Sequence, residues 1–399
     1  MKAALVSPAW PPERSYNGIV TYVARLTEPL RATGIEVNVV AQIVEPDQRE
    51  AARAAGVALT VDEPDTPAHY VANRLLRRVD PGAADATHTA WQLGRALRRL
   101  HRRSPLDVYE TEEAFGHGRL VRRHLDAKQI IRLHGPWFLC VPALGFDRNT
   151  LENVKRIEWE GEAIRAADVI SSPCRFALDE VRRRYEVSLP NARVIPNAMP
   201  LSDRTWSREE AKPQSILFVG RFDRLKGADT LIEAFGRLHA THPEARLTFV
   251  GPDRGLPDGT GVEAFLDRTL TREARANVTQ LGLQTADQIR ELRPTHAVTV
   301  VASRYETFPM TVLEAMAAAS PLLGSRAGGI PEVLDWAPEL IFAPGDAEEL
   351  AAKLRWLLDA PETAAALGAR SREICKERYS PEAVARATAA LYRDTSGRS

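Results

Sequence analysis

Two cations lie close together in the middle of the chain, directly after a short apolar run. The stretch LFVGRFDRLKG covers residues 217–227, and Arg221 and Lys226 stand five residues apart behind Gly220. An arginine presents a planar fork that suits phosphate oxygens, and a lysine adds a mobile point charge. The pair could therefore neutralise a diphosphate without a metal. Two solvated cations in a turn would show the same pattern, so this stretch alone leaves both interpretations open.

Two carboxylates, eight residues apart, mark a second stretch, SRYETFPMTVLEAMAAASPLL. Glu306 precedes a proline, which suits the first turn of a helix because its missing N–H costs nothing there. Glu314 lies more than one turn inside that helix. The free N–H groups of the first turn, around Met310 and Thr311, form an anion site, and a ligand held there could reach both carboxylates. The alternative is a helix-mouth carboxylate followed by an exposed helical residue.

A pair of glycines marks a third stretch, SRAGGIPEVL, at residues 325–334. Gly328 and Gly329 follow a short apolar run, and glycine lets a backbone approach a ligand closely. Pro331 and Glu332 are predicted to open the next helix. Taken alone, this stretch is typical of a tight turn.

Short apolar runs alternate with helix-like segments along almost the whole chain. Many runs are continuous rather than alternating, as in the strands of a parallel sheet that is covered on both faces. Strand, helix and strand in repetition predict an α/β doubly wound sheet. The predicted strands are 3–6, 37–41, 108–109, 130–133, 169–171, 194–195, 216–219, 247–250, 278–281, 297–301, 321–323 and 340–341.

A turn-rich segment, IPNAMPLSD at residues 195–203, separates two halves of similar pattern. We predict a Rossmann-like acceptor-side domain over residues 1–200 and a Rossmann-like nucleotide-sugar domain over 201–379, with a final helix at 380–395 packing back on the first. Two such domains facing a central cleft would bind ligands at the carboxyl ends of their strands. Residues 43–103 have weak strand signals and are predicted as variable helices and loops.

The composition argues against two classes of protein. Lys plus Arg and Asp plus Glu number 53 each in 399 residues, so no global charge attracts nucleic acid. No apolar run approaches the roughly 18 residues that a membrane span needs. The first residues are typical of a β-strand rather than a signal peptide. Cys140, Cys174 and Cys375 lack metal-ligand spacing and are typical of free thiols in a reducing cytoplasm.

In this order and spacing, the three stretches resemble the retaining, nucleotide-sugar-dependent glycosyltransferases of glycosyltransferase family 4, which have the GT-B fold. The resemblance covers most of the second half, where Glu306 and Glu314 match the family's Glu–seven residues–Glu signature. In the first half, VSPAWPPERSYNGIVTYVARL, RLHG and VIPNAMP resemble its opening loop, histidine loop and interdomain segment. Asn17 replaces the first glycine of the family's usual Gly-Gly pair. Because asparagine tolerates positive φ, we expect the turn to survive.

The resemblance implies a role for each residue of the site. Arg221 and Lys226 would clamp the donor diphosphate and offset charge on the departing nucleotide. Glu306 would face the donor sugar and His134 would lie beside it, although a packed histidine at a strand end is the alternative for His134. Glu314 would hold the ribose hydroxyls. The donor-binding residues implied are Gly18, Gly220, Arg221, Lys226, Glu306, Phe308, Met310, Thr311 and Glu314, and those implied for catalysis are Glu306, Arg221, Lys226 and His134.

The implied reaction is transfer of a sugar from a nucleoside diphosphate sugar to an acceptor hydroxyl, with the anomeric configuration retained. A UDP-sugar is slightly favoured over a GDP-sugar. No residue convincingly suits the nucleophile of a double displacement, which favours front-face displacement. No metal or other cofactor is expected, because two cations and a helix N-terminus would do the metal's work. The acidic stretch DEPD at 62–65 lies in the weakly patterned region and is not counted as a metal motif.

The expected partners are a nucleotide sugar and an acceptor glycan, lipid-linked sugar or small molecule, and not nucleic acid. The protein is expected in the cytoplasm. Its arginine-rich segments 98–103 and 119–123 are candidates for peripheral contact with the inner face of a membrane. Solvated helix faces are the alternative for both segments.

Other readings of the same motifs stay open at this point. A nucleotide-sugar epimerase or a sugar phosphorylase can share the GT-B fold, and a non-catalytic protein could bind a sugar nucleotide on it. A nicotinamide-dependent oxidoreductase needs G-x-G-x-x-G after an opening strand, and no such stretch is present.

Overall fold

The computed structural model describes residues 1–15, 17–63 and 65–397. The chain divides into two compact units. Unit 1 comprises Met1–Phe138, Asp147–Ala198 and Pro381–Ser399, and unit 2 comprises Leu139–Phe146 and Met199–Ser380.

Unit 1 is built on a parallel sheet that has seven strands among the described residues. The strands are β1 (Lys2–Trp10), β2 (Glu36–Val44), β3 (Ala58–Leu59), β4 (Val108–Glu112), β5 (Lys128–Arg132), β6 (Val169–Ser172) and β7 (Arg193–Val194). Their order is β3-β2-β1-β4-β5-β6-β7, which is the Rossmann order with one strand added. The carboxyl ends of all seven strands therefore meet at one edge, where ligands bind in such sheets.

Helices connect these strands. Those of the first 198 residues are α1 (Gly18–Ala32), α2 (Arg49–Ala54), α3 (Pro67–Val79), α4 (Pro81–Arg103), α5 (Gly118–Val121), α6 (Trp137–Leu144), α7 (Leu151–Ala166) and α8 (Arg175–Tyr185). The weakly patterned region 43–103 thus contains a two-residue strand, β3, and α4, the 23-residue helix that covers it.

Unit 2 repeats the same topology with six strands among the described residues, in the order β10-β9-β8-β11-β12-β13. These are β8 (Lys212–Val219), β9 (Arg246–Val250), β10 (Val278–Gln280), β11 (His296–Val301), β12 (Leu322–Ser325) and β13 (Ile341–Phe342). The helices are α9 (Ala228–His239), α10 (Val262–Thr269), α11 (Arg272–Ala276), α12 (Ala286–Leu292), α13 (Met310–Ala317), α14 (Ile330–Val333), α15 (Ala347–Asp359) and α16 (Pro361–Tyr379). The predicted α/β class of two parallel sheets is confirmed.

The last helix, α17 (Pro381–Ser396), packs in unit 1 against α1. Its apolar residues Val384, Ala389 and Tyr392 belong to the same buried cluster as the core-facing residues of α1 and β1. A segment at the end of the chain therefore completes the core that begins at β1.

The sequence explains the elements that open unit 1. All five residues from Ala3 to Ser7 are buried, as expected for a central strand with both faces covered. In α1, Val20, Val23, Leu26 and Leu30 recur at helical spacing and are buried.

Within the described part of the chain, no helix combines the length and the apolar character that crossing a membrane requires.

Candidate active site

The two cations of unit 2 lie on the loop that leaves the carboxyl end of β8 and enters α9. The N–H of Gly220 donates to the carbonyl of Val250 (2.9 Å), so the strand pairing continues to the start of the loop. Asp223 then organises the turn: its carboxylate accepts the Nε–H of Arg221 at 2.7 Å and the backbone N–H of Lys226 at 2.8 Å. The Arg221 side chain stays 43% exposed, so its remaining donors can reach a ligand.

Lys226 and Glu306 meet directly. The ammonium of Lys226 donates to Oε1 of Glu306 at 2.6 Å, and the same oxygen accepts the hydroxyl of Ser303 at 2.8 Å. Both partners are largely screened from solvent, with side-chain exposures of 25% and 15%. The structure therefore places a cation from the β8–α9 loop against a carboxylate from the β11–α13 loop.

Two glycines allow three loops to lie close together: the β8–α9 loop, the β11–α13 loop and the loop that joins β12 to α14. Gly227 has φ +67°, and a Cβ there would overlap the carbonyl oxygen of Ala302. Gly328 has φ +55°, and a Cβ there would overlap the backbone carbonyl of Glu306. The N–H of Gly329 also donates to that carbonyl at 2.8 Å. Only glycine fits at these two positions, because any side chain would push the loops apart.

The first turn of α13 borders a pocket at this edge of the sheet. Phe308 is buried, Met310 begins the helix, and Thr311 follows in its first turn. A small pocket is lined by Phe218, Val219, Lys226, Val301, Ala302, Ser303, Glu306 and Thr311. A lysine, a carboxylate and the first turn of a helix thus converge at the carboxyl edge of the sheet.

Glu314 has a different environment from Glu306. It lies one turn inside α13, and its Oε2 accepts a hydrogen bond from the Arg293 guanidinium at 2.5 Å. Arg293 is buried, whereas the Glu314 side chain is 35% exposed. Arg293 therefore fixes this carboxylate while leaving part of it accessible. Arg293 was not predicted as a site residue, because the sequence shows only a single arginine before a proline, in ELRPTH.

In unit 1, Gly18 begins α1 beneath the carboxyl edge of the sheet. Asn17 precedes it in an extended conformation, φ −116°, and its side chain caps the helix by accepting the N–H of Ile19 at 2.8 Å. Asn17 therefore does not use its tolerance of positive φ: its backbone is extended, and its side-chain oxygen caps the start of α1. Among the described residues, an added Cβ at Gly18 would meet nothing within 4 Å, so there is free space beside it.

His134 follows β5 in the loop RLHG. Its backbone N–H donates to both carboxylate oxygens of Glu113 at 3.0 Å, and the N–H of Gly135 donates to Glu113 at 2.6 Å. The imidazole packs edge-on against the ring of Tyr22, with ring centroids 5.0 Å apart. Burial lowers the pKa of His134 well below its ordinary value, and the Arg132 guanidinium lowers it further. His134 is therefore a neutral imidazole at pH 7.

Sequence reasoning missed the glutamates of YETEE at the end of β4, all of which are buried. Glu110 accepts the hydroxyls of Tyr22 (2.7 Å) and Tyr392 (3.0 Å), and burial raises its pKa. The Arg132 guanidinium lies 4.8 Å from the centroid of the Tyr22 ring. This network joins α1, α17 and β5 near His134. The charged stretch YETEE does not by itself indicate partners as distant along the chain as Tyr22 and Tyr392.

Burial also changes the ionisation of Glu112. Loss of hydration raises the pKa of its carboxyl to about 7, although the amide of Gln42 donates to it at 2.9 Å. A carboxyl whose pKa is higher in the folded than in the unfolded protein stabilises the fold below that pKa, and the contribution is lost as the pH rises. The same sign applies to Glu113 and Glu160, whose pKa values burial raises to about 7.

We expect the Glu112→Gln variant to become more stable relative to the wild type as the pH rises from 5 to 8. The pKa change corresponds to at most about 3 kcal/mol in the difference between the two unfolding free energies. Urea unfolding of both proteins across this range measures that difference. Glu158→Gln, at an exposed position of α7, is the matched control and should stay parallel to the wild type. A pH-independent difference for Glu112→Gln would show that Glu112 is ionised in the folded protein.

The fold and this site together define a class. A GT-B glycosyltransferase combines two sheets of Rossmann strand order with a basic loop after the first strand of the second sheet. It also has a carboxylate just before a helix of that second domain, as Glu306 lies before α13. The family model described as Glycosyltransferase Family 4 matches residues 16–203, and the one described as Glycosyl transferases group 1 matches residues 203–374. The two models together match residues 16–374, so the chain belongs to the glycosyltransferase family 4 type, and the predicted membership of that family is confirmed.

Curated relatives carry glycosyltransferase names. Glycogen synthase of Mycobacterium tuberculosis (strain CDC 1551 / Oshkosh) is 28% identical over 236 residues, 58% of this chain and 56% of that protein. D-inositol 3-phosphate glycosyltransferase 2 of Catenulispora acidiphila is 31% identical over 264 residues, 63% of this chain and 61% of that protein. The match thus covers less than two thirds of the length of each of these two relatives.

Solved structures share the fold over nearly the whole chain. Sucrose-phosphate synthase from Thermosynechococcus elongatus has a TM-score of 0.73 at 23% identity and covers 98% of both chains. Anabaena HepE in complex with UDP has a TM-score of 0.72 at 15% identity, covering 99% of this chain and 100% of that one. These likenesses confirm the GT-B fold.

Proposed function

We propose that this protein is a retaining glycosyltransferase that moves a sugar from a nucleoside diphosphate sugar to an acceptor hydroxyl. The observation that carries the proposal is the 2.6 Å contact of Lys226 with Glu306 at the carboxyl edge of the unit 2 sheet, on the loop that also carries Arg221. A diphosphate is bound by cations, whereas a carboxylate without a cation beside it would repel the diphosphate. Their combination suits a ligand that is anionic at one end and develops positive charge at the other.

In this mechanism, Arg221 and Lys226 bind the diphosphate and offset the charge that forms as the nucleotide leaves. The first turn of α13, at Thr311, adds the positive end of the α13 dipole, whereas the N–H of Met310, which the sequence predicted as part of the anion site, donates to the carbonyl of Phe308 at 3.1 Å. A leaving-phosphate oxygen accepts the acceptor's proton as the new bond forms on the same face of the sugar. The protein contributes positioning and charge.

The remaining residues orient the substrates. Glu314, held by Arg293, accepts hydrogen bonds from the ribose hydroxyls through the exposed part of its carboxylate. Glu306 faces the donor sugar. The neutral imidazole of His134 can donate or accept one hydrogen bond beside the sugar without adding a further cation to Arg221 and Lys226. Gly18 leaves room at the start of α1 for the reacting groups.

We favour UDP over GDP as the donor nucleotide, and HepE, which was solved with UDP, supports this choice. The relatives named glycogen synthase and D-inositol 3-phosphate glycosyltransferase differ in their acceptors. The acceptor class therefore stays a glycan, a lipid-linked sugar or a small molecule. The cytoplasmic location expected from the sequence is part of this proposal.

A donor screen tests the proposal. We expect a UDP-sugar to raise the melting temperature more than the matching GDP-sugar, because a ligand that binds only the folded state stabilises it by mass action. Incubation of that donor with acceptor mixtures should release UDP and yield an α-linked product from an α-linked donor, as followed by NMR of the anomeric proton. Donor isomerisation without transfer would establish an epimerase instead, and binding without turnover on any acceptor would establish a non-catalytic protein.

The same assay tests the expectation that transfer needs no metal. With two cations and a helix N-terminus at the diphosphate, adding EDTA should leave the initial rate of transfer within about twofold of the untreated rate. Addition of Mg²⁺ or Mn²⁺ to the EDTA-treated enzyme should not raise it. An activity that disappears with EDTA and returns only with Mg²⁺ or Mn²⁺ would contradict a metal-independent mechanism.

We further propose peripheral contact with an anionic membrane surface, supported by α3. Val71, Leu75 and Val79 recur every fourth residue on this helix and are 55%, 57% and 85% exposed. Arg74 and Arg78 flank that apolar stripe, as in helices that lie in a membrane interface. The arginine-rich segments 98–103 and 119–123 are weaker candidates, because Arg99, Arg119 and Arg122 are paired with Glu63, Glu162 and Asp168.

Sedimentation with lipid vesicles tests this contact. We expect the wild type to bind vesicles that contain phosphatidylglycerol and not vesicles of phosphatidylcholine alone, and Leu75→Glu to lower the bound fraction several-fold. Leu283→Glu is the matched control, since Leu283 is an equally exposed leucine (60%) in unit 2. Equal binding of both variants would show that α3 is not the contact surface.

A further inference from the structure

The α3–α4 hairpin of unit 1 brings three metal-ligand side chains together. Asp65 precedes α3, His69 lies in its first turn, and His88 lies on α4. One ligand atom from each lies within 4.8 Å of the other two. Nε2 of His69 is 3.1 Å from Nδ1 of His88, and Nδ1 of His88 is 3.7 Å from Oδ1 of Asp65. None of the three belongs to the candidate active site.

We propose that Asp65, His69 and His88 bind a divalent transition-metal ion of the zinc type. Two Zn–N bonds of about 2.05 Å at the tetrahedral angle place their nitrogens about 3.3 Å apart, close to the separation of the two imidazoles. Two imidazoles and one carboxylate favour Zn²⁺, Co²⁺ or Ni²⁺ over Mg²⁺ and Ca²⁺, which prefer oxygen ligands. Three protein ligands leave a fourth position for water or an added ligand.

In the absence of an ion, the two ring nitrogens share a proton in a hydrogen bond. An ion would replace that proton, and the rings would turn until both lone pairs point at it. The change in nitrogen separation is a few tenths of an ångström. The hairpin can thus exchange a hydrogen-bonded pair for a metal-linked pair without moving its helices apart.

The surroundings hold His69 in place for such a site. The side-chain oxygen of Thr66 caps α3 by accepting the backbone N–H of His69 at 3.2 Å. The Trp91 ring stacks on the imidazole at 3.9 Å with an angle of 5°. Arg95 covers Trp91 at 5.0 Å, and its charge is offset by the carboxylate of Glu63 at 3.4 Å. An oriented ring with a compensated neighbouring cation is suited to bind a second cation.

The ion would act on the hairpin rather than on sugar transfer. None of the residues of α3, all of which are described, is buried, and the helix packs against α4. A metal bridge from His69 to His88 would add to the contacts that already join α3 to α4, the stacking of His69 on Trp91 and the ion pair of Arg77 with Asp85. The expectation of metal-free sugar transfer is a separate matter and is unaffected.

Cobalt titration of the untagged, metal-depleted, full-length protein tests the site. We expect one Co²⁺ per chain to bind with the intense visible bands of tetrahedral coordination, and one equivalent of Zn²⁺ to remove them. Asp65→Asn should weaken binding at least tenfold, the scale of losing a tuned ligand environment, and His88→Ala should abolish it. His242→Gln, which removes a histidine next to the Asp359 carboxylate, should leave the spectrum unchanged.

Thermal unfolding supplies a second readout, so that a misfolded variant does not decide the matter. Saturating Zn²⁺ should raise the melting temperature of the wild type and of His242→Gln, raise that of Asp65→Asn less, and leave that of His88→Ala unchanged. Circular dichroism confirms that each variant is folded. Absence of cobalt bands in the folded wild type, or bands that persist in both Asp65→Asn and His88→Ala, would overturn the proposal and leave the histidines as a hydrogen-bonded pair.

Discussion

Replacement of Lys226 by alanine is expected to lower kcat/KM for sugar transfer by roughly 10²-fold or more. Lys226 is the cation that the structure places against Glu306, at 2.6 Å and largely out of solvent. Its charge would stabilise the diphosphate most when the nucleotide leaves. Alanine also leaves the Glu306 carboxylate without its partner, so the remaining negative charge would repel the donor. Both KM and kcat should therefore worsen, as followed by initial rates of UDP release.

The loop itself offers a matched control for this change. Arg224 is exposed on the same turn, between the two proposed clamp residues. Arg224→Ala removes a cation and a long side chain from the loop without touching the Glu306 contact. It should keep kcat/KM within about threefold of the wild type, the range expected for a solvated surface charge. Near-normal turnover of Lys226→Ala, or an equal loss in both variants, would remove Lys226 from the mechanism.

The sequence was sufficient to predict most of unit 2. The run at 216–219 is apolar throughout and the run at 297–301 is apolar except for Thr299; the first lies in β8 and the second in β11. Because these two strands are neighbours in the sheet, the loops that follow them meet at one edge, which brings Lys226 to Glu306. Local pattern and the parallel topology together are enough to predict such a contact.

The polar interior of unit 1 could not be predicted in this way. YETEE reads as a charged surface segment, yet its glutamates are buried at the end of β4. Their burial depends on partners that only the folded chain supplies. Tyr392, which donates to Glu110, is 282 residues away in sequence. Buried carboxyls need such partners, because an unpaired one is costly in an apolar interior.

Short or weakly patterned elements escaped prediction for a related reason. β3 has two residues, Ala58 and Leu59, too few for any periodicity to show. The 23 residues of α4 include many alanines and arginines, so its buried stripe, with Leu93 and Leu97, is diluted in the sequence. Arg293 stands in no motif of the sequence, and only the fold shows that it is buried against Glu314.

Glu306→Gln is expected to lower kcat by roughly 10²-fold while leaving KM for the donor unchanged or lower. Glutamine keeps the shape of the side chain and an oxygen that can accept the Ser303 hydroxyl. It removes a negative charge that lies beside the proposed diphosphate clamp, so donor binding should not weaken. The loss should fall on the transition state, in which the sugar ring gains positive charge that a facing carboxylate stabilises. Steady-state kinetics with varied donor separates the two parameters.

This split of kcat from KM distinguishes a catalytic carboxylate from a structural one. A Glu306 that only held Lys226 in place would, on substitution, loosen the clamp and raise KM together with the loss in kcat, as Lys226→Ala does. Glu339→Gln, at an exposed glutamate of unit 2, controls for the loss of one negative charge and should change neither parameter. An increase in KM without a fall in kcat for Glu306→Gln would assign this carboxylate to donor binding alone, and the charge on the sugar would then need another stabilising group.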